Sequence, residues 1–188
     1  MTQDTRTQLL DIAEHAARAR GFDGFSYADM ARAVGIRKAS IHYHFPTKSD
    51  LSVALIVRYH TRMATACADI DAGHPTGSGK LRALIAHYRA ALNGGDTLCL
   101  CVALTISRDT LPADVVTHLH AFRAMMTNWL INTFETGTRD ESISDTRDAQ
   151  RAAHATLALM EGAHLAARAA CDVAQFDEAT AVLQAHCR

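Results

Sequence analysis

The stretch RKASIHYHFPTKSDL, residues 37–51, gathers Arg37, Lys38, Ser40, His42, Tyr43, His44 and Lys48 into a short run that ends against Pro46. Ammonium, guanidinium, hydroxyl and imidazole groups at this density hydrogen-bond phosphate oxygens and base edges. The same groups also serve as a solvated face on a purely structural helix hairpin. A second chemistry-bearing group is Glu161-Gly-Ala-His164, the spacing at which helical bundles ligate paired metals. That reading, a helical-bundle metalloenzyme, needs a second copy of the motif and two more inward glutamates, whereas Glu135, Glu141 and Glu178 fall near helix ends or loops. The pairs His42/His44 and His118/His120 are two residues apart and diverge on a helix, so they do not chelate one ion. No Gly-rich phosphate loop follows a strand and no Ser/His/Asp constellation is evident, so neither an enzyme, a metal nor a cofactor is expected.

The elements that position these residues are helical. Prolines occur only at 46, 75 and 112, while Ala and Leu recur at helical intervals almost throughout. The spacing predicts an all-α fold of about nine helices. The first runs from about Thr5 to Arg20. A second follows Ser26, a good N-cap, with Tyr27, Met30, Ala31 and Val34 on one face. Gly35 turns the chain into a third, short helix from about Lys38 to Phe45, closed by Pro46. Thr47 can cap a long fourth helix reaching about Ile70. Later helices are expected in LRALIAHYRAAL, in TLCLCVALTISR, from Pro112 to about Phe134, from about Thr146 to Cys171 and from Phe176 to about His186, with TGTRDESISD as a loop. Composition shifts near residues 47–51, which divides the chain into a three-helix head, 1–47, and an alanine-rich helical body, 48–188.

At about 100° per residue, Ile41 and Phe45 share one face of the short helix and point to the head's core. Ala39 and Tyr43 then point away, flanked by Ser40 and His42, with Lys38 and Lys48 at the two ends. A helix of this size held out across a glycine turn has the shape that enters a DNA major groove. The formal net charge is −1, so affinity for nucleic acid must be local. It is: residues 27–48 carry Arg32, Arg37, Lys38 and Lys48 against Asp29.

The segment FSYADMARAVGIRKASIHYHFPTKSDL resembles the N-terminal DNA-binding domain of the TetR family of transcriptional regulators (TetR/AcrR type), closely over residues 5–60. The resemblance implies that Ser26 and Tyr27 meet phosphate, that Lys38, Ala39, Ser40 and His42 line the groove, and that Tyr43, His44 and Lys48 anchor the backbone. Ala39 can lie against a thymine methyl, Ser40 can donate or accept, and the Tyr43 hydroxyl and Lys48 ammonium are phosphate donors. The sequence departs from the usual pattern at Arg37, where a small polar residue is common, and at His42, where Tyr is frequent. Arg37 adds a phosphate or guanine contact or only solvates the turn; His44 anchors DNA or packs on the fourth helix.

One short helix reads few bases, so a homodimer placing two heads about 34–36 Å apart on a palindromic double-stranded operator is expected. Ala155, Leu159, Gly162, Ala163, Ala166 and Ala170, with Phe176, Ala179, Val182 and Leu183, offer a small and apolar surface for a four-helix dimer interface or for an intramolecular core. An apolar pocket for a small-molecule effector is expected among Met63, Cys67, Leu84, Tyr88, Cys99, Val102, Ile106, Phe122, Met125, Met126 and Trp129, with His87 and His118 as polar points; core packing is the other reading of the same residues. Effector binding would shift the fourth helix and release DNA, which makes the chain a repressor; a ligand-free activator is the alternative. Cys99 or Cys101 in LCLCVAL is a candidate thiol for an electrophilic effector, provided a nearby cation or helix start lowers its pKa. Five scattered cysteines without a CxxC pair read as reduced thiols. No apolar run approaches the roughly 18 residues that span a bilayer, so no membrane partner and a cytoplasmic location are expected.

Overall fold

A computed structural model describes residues 4–21, 23–24, 26–144 and 148–188. Among these residues the chain forms nine α-helices, and the only extended pairing is an isolated antiparallel bridge between Ile143 and Cys187. Packing groups the residues into two compact units that are discontinuous in sequence: residues through Thr61 with Leu100–His120, and Arg62–Cys99 with Ala121–Arg188. A division at 47/48 follows chain order, whereas packing groups the head with the residues up to Thr61 and with Leu100–His120.

In the first unit, α1 (Thr5–Arg20) buries Leu9, Leu10, Ala13, Ala16 and Ala17 and stops at Gly21, whose φ of 81° only glycine adopts cheaply. Ser26 opens α2 (Tyr27–Val34) with a reciprocal capping box: its hydroxyl accepts from the Asp29 N–H while the Asp29 carboxylate accepts from the Ser26 N–H. Gly35, left-handed at φ 74°, ends α2 and leads to α3 (Lys38–His44). Thr47 and Asp50 repeat the capping box at the start of α4 (Lys48–Gly73). The Arg58 guanidinium on α4 binds Asp11 at 2.7 Å and Glu14 at 2.6 Å on α1, fixing the two helices together. The helix α6 (Leu100–Ile106) packs on α1 and is shorter than the periodicity of residues 97–108 suggests. Cys99 lies just before it, with its backbone N–H bonded to a side chain distant in sequence, described below.

In the second unit, α5 (Gly77–Ala91) meets α7 (Ala113–Arg139) at a glycine pair. A Cβ built on Gly77 would lie 2.3 Å from the Gly137 backbone, and one on Gly137 would lie 2.5 Å from the Ile143 side chain. At that approach α7 continues to Arg139 through residues expected to be loop: Thr136–Arg139 are helical, with Gly137 buried and Thr138 and Arg139 exposed. The start of α8 (Ala149–Ala170) is capped by the Asp148 carboxylate, which accepts from the Arg151 N–H at 2.9 Å. The expected start at Thr146, and Asp145 at the end of the expected loop, lie outside the described residues. The last helix, α9 (Ala174–Ala185), packs along α8, and the Arg89–Asp177 pair ties it to α5. None of these helices is long and apolar enough to cross a membrane, among the described residues.

Candidate nucleic-acid interface

The α2–Gly35–α3 hairpin presents α3 through a simple division of its surface. Ile41 is fully buried and Phe45, the residue after the helix, is 1% exposed, while Tyr43 is 85% exposed. Burial of these two side chains stabilises by about 1.5–3 kcal/mol each and sets the helix's rotation. Arg37, Lys38, Ala39, Ser40 and His42 are therefore exposed together, and His44 is half-buried with its ring edge-on to Tyr43 at 5.2 Å. Arg37 occupies the N-cap position of α3 without a side-chain cap, so its guanidinium is not used to hold the helix. The Arg6 guanidinium covers the Phe45 ring from the α1 side at 5.1 Å.

Behind this face Ser26, Tyr27, Lys38, His42 and Lys48 line a recess of about 310 Å³. Lys48 reaches Asp23 at 3.1 Å, an exposed pair of small energetic weight that a phosphate can replace. Tyr27 departs from its expected role. Its hydroxyl donates to the carbonyl oxygens of Phe45 at 2.9 Å and Thr47 at 2.6 Å, tying α2 to the α3–α4 corner. Burial, and after it the Asp50 carboxylate, push its pKa up to about 12. The hydroxyl proton is spent inside the protein, so Tyr27 braces the recess instead of donating to phosphate. His42 lies against the Tyr27 ring at 4.9 Å, and its Nδ1 is 3.1 Å from the Pro46 carbonyl.

The other expected sites fare differently. Of the proposed effector-pocket residues, Met63, Cys67, Tyr88, Cys99, Phe122, Met126 and Trp129 are buried in the second unit, Val102 is buried in the first and Met125 is half-buried. His87 is exposed, because Leu81, Leu84, Ile85 and Tyr88 take the inward face of α5, and Ile106 is 67% exposed; neither points into a core. The second unit instead has an open concavity of about 370 Å³, bounded by Leu81, Phe134, Ile143, Ala152, Ala155 and Leu183, with Asp148, Arg151 and His186 also on its wall. Alternation of apolar residues along single helices could not reveal a space framed by four of them. On the candidate dimer surface, Ala163 and Phe176 are corrected to core: both are buried within the protomer, Phe176 against the His164 ring. Ala155, Gly162, Ala166 and Ala170 are exposed, Leu159, Ala179 and Leu183 half-buried, and Val182 exposed. The sequence reading missed Leu165, which is exposed on α8 beside Gly162 and Ala166.

The Glu161/His164 pair is structural. Glu161 binds Arg123, and His164 is fully buried with its Nδ1 accepting from the Cys99 N–H at 3.1 Å and its Nε2 donating to the Tyr88 carbonyl at 3.0 Å. No group of three or more metal-ligating side chains occurs among the described residues. Cys99 and Cys101 are both buried, and burial, then Asp71, pushes the Cys67 thiol up to about 12.

Comparison with known proteins agrees with the geometry of the head and extends to the body. The model of bacterial regulatory proteins of the tetR family matches residues 6–55, and that of the tetracyclin repressor-like C-terminal domain matches residues 77–183. The chain is 36% identical over 58 residues to the HTH-type transcriptional regulator TtgR of Pseudomonas putida, a match spanning 31% of this chain and 28% of that relative. Its structure is similar to that of a TetR-family transcriptional regulator from Agrobacterium tumefaciens, with TM-score 0.91 and 31% identity over 97% of this chain and 96% of the other. It is also similar to a TetR transcriptional regulator from Legionella pneumophila, with TM-score 0.89 and 26% identity over 100% and 99%. A buried Ile41 beneath an exposed polar α3, followed by a helical body matched along most of its length, makes this chain a member of the TetR family of transcriptional regulators, with a DNA-binding N-terminal domain.

Proposed function

We propose that the protein is a homodimeric, effector-responsive repressor that binds a palindromic operator through its head, residues 1–47, together with Lys48 at the start of α4, and is released when a small molecule occupies the body within residues 48–188. The observation that carries the DNA half is the rotation of α3, with Ile41 inward and Ala39, Ser40, His42 and Tyr43 outward. Tyr43 and Lys48 are the phosphate donors in this reading, and Lys38, Ala39, Ser40 and Arg37 meet base edges or the adjoining backbone. The 370 Å³ concavity in the second unit supports an effector with an apolar body and one polar end, since its wall is largely aliphatic and aromatic with Asp148, Arg151 and His186 among it. Burial of Cys99 and Cys101 argues against either of them as the thiol an electrophile would reach, whereas Cys171 is exposed. Release requires an effector that prefers the non-binding arrangement of two heads, and α4, which contributes residues to both units, is the element such an effector would bias.

The test is a mobility shift on duplex DNA flanking the protein's own coding region. Wild type should bind, while Tyr43→Phe and Lys48→Ala should each weaken binding to different operator sequences alike, and Lys48→Ala, which removes a charge, should also reduce its salt dependence. Binding unaffected by both substitutions would refute the assignment of this face.

A further inference from the structure

The histidine in the basic recess has a feature that the fold alone does not require. Its Nδ1 sits 3.1 Å from the Pro46 carbonyl oxygen, an atom that only accepts, so Nδ1 carries a proton. In the neutral ring Nε2 is then a bare lone pair, which repels a phosphate oxygen. A contact between Nε2 and phosphate that keeps the Pro46 bond therefore needs the doubly protonated, cationic ring. The Tyr27 ring on α2 backs the imidazole at 4.9 Å and limits the geometries by which it can swing out of this choice.

The charges around His42 favour the same coupling. Lys38 from α3 and Lys48 from α4 share its recess, so a phosphate that enters meets cationic donors beside the imidazole. The nearby carboxylates keep their charge and have partners of their own: Asp29 on α2 with Ser26 and Arg32, Asp50 on α4 with Thr47, and Asp23 with Lys48. Tyr43 and His44 pair with each other farther along α3. Resting on the DNA-binding reading above, we propose that His42 is a proton-dependent phosphate ligand, so that DNA binding takes up a proton at this side chain and tightens as pH falls through the neutral range. Imidazole is the side chain whose charge changes there.

The experiment uses the full-length protein and a labelled duplex that it enriches from a random DNA pool, with affinity read by fluorescence anisotropy at fixed salt. Between about pH 8 and about pH 6 wild type should tighten by about three- to tenfold, within the tenfold per pH unit that one proton allows. His42→Gln should bind with a flat profile near the weaker limit, and His42→Lys, a permanent cation, should bind with a flat profile near the tighter one. Thermal melts of each variant check folding, and His42→Lys decides the matter if His42→Gln does not fold. A wild-type profile that is flat, or a pH dependence that survives in His42→Gln, overturns the proposal. Tightening with rising pH overturns it too, since that is the sign for a bare Nε2 accepting from a base amino group. Failure of folded wild type to enrich any duplex would instead remove the DNA-binding reading on which the proposal stands.

Discussion

His42 and His164 are both helical histidines with a ring nitrogen held by a backbone carbonyl, yet their surroundings assign them to different tasks. His164 is fully buried, with both nitrogens satisfied by main-chain groups and its ring between Tyr88 and Phe176, edge-on at 5.5 and 5.4 Å. His42 is exposed, has one nitrogen committed to Pro46 and shares a recess with two lysines. Spacing alone offered His164 as half of a metal-ligand motif, a reading already short of its second copy and its glutamates, and offered His42 as part of the groove-facing surface. Hydrogen-bond accounting separates the two, because a ring whose donors and acceptors are all used internally has nothing to offer a ligand.

The sharpest way to break this contrast is to truncate the buried ring. His164→Ala removes two buried hydrogen bonds, one from the Cys99 N–H and one to the Tyr88 carbonyl, and two aromatic contacts. The expected cost is about 3–5 kcal/mol, read as a fall in the urea midpoint. A loss under about 1 kcal/mol would show that the ring is not the pin described here. Tyr43→Ala is the converse case. With its side chain almost wholly in solvent, it should leave the melting midpoint within about 0.5 kcal/mol of wild type while weakening DNA binding about ten-fold, as loss of a phosphate anchor does. Equal effects on both readouts would place Tyr43 in the fold instead of at the interface.

The head was legible because its signals are local. Ser26, Gly35, Pro46 and Thr47 each act on the residues beside them, and the phase of Ile41 and Phe45 fixes which side of α3 faces outward. The body was less legible because its decisive contacts are between elements distant in sequence. Gly137 looked like a loop glycine, yet it lies within α7, which runs on to Arg139, with the Gly77 backbone against it. Cys99 looked helical, and the bond from its N–H to His164, 65 residues away, is visible only in three dimensions. Phe176 and Ala163 fit an apolar helix face whether that face meets a partner or its own core, and periodicity alone does not separate the two. Tyr27 is the exception within the head: its type and position matched phosphate contact, and the competing acceptors at Phe45 and Thr47 are visible only in three dimensions.

That exception predicts an alkaline signature. Tyr27 ordinarily titrates at 10.0 and is raised to about 12 in the fold, so folding favours its protonated form. Its contribution to stability is complete below the lower value and is lost as pH rises through the higher one. Urea midpoints measured across this range should fall more steeply for wild type than for Tyr27→Phe, which is less stable at neutral pH but lacks the titrating hydroxyl. Parallel profiles would mean that the hydroxyl is not the brace inferred for the recess.

The smallest expected effect bears on the outer face of α8. Gly162 is mid-helix, and no atom outside its own helix lies within 4 Å of the point where a Cβ would sit. In an isolated protomer Gly162→Ala should therefore stabilise by up to about 1 kcal/mol, the difference in helix propensity. A glycine retained at this cost beside the exposed Leu165 and Ala166 is explained if a partner's backbone approaches there in the proposed dimer. The two readouts then move in opposite directions: Gly162→Ala should raise the stability of the dilute monomer and increase the dimer dissociation constant in sedimentation equilibrium. If both stability and association improve, Gly162 is no point of close approach, and the partner must meet α8 and α9 farther along, toward Leu183.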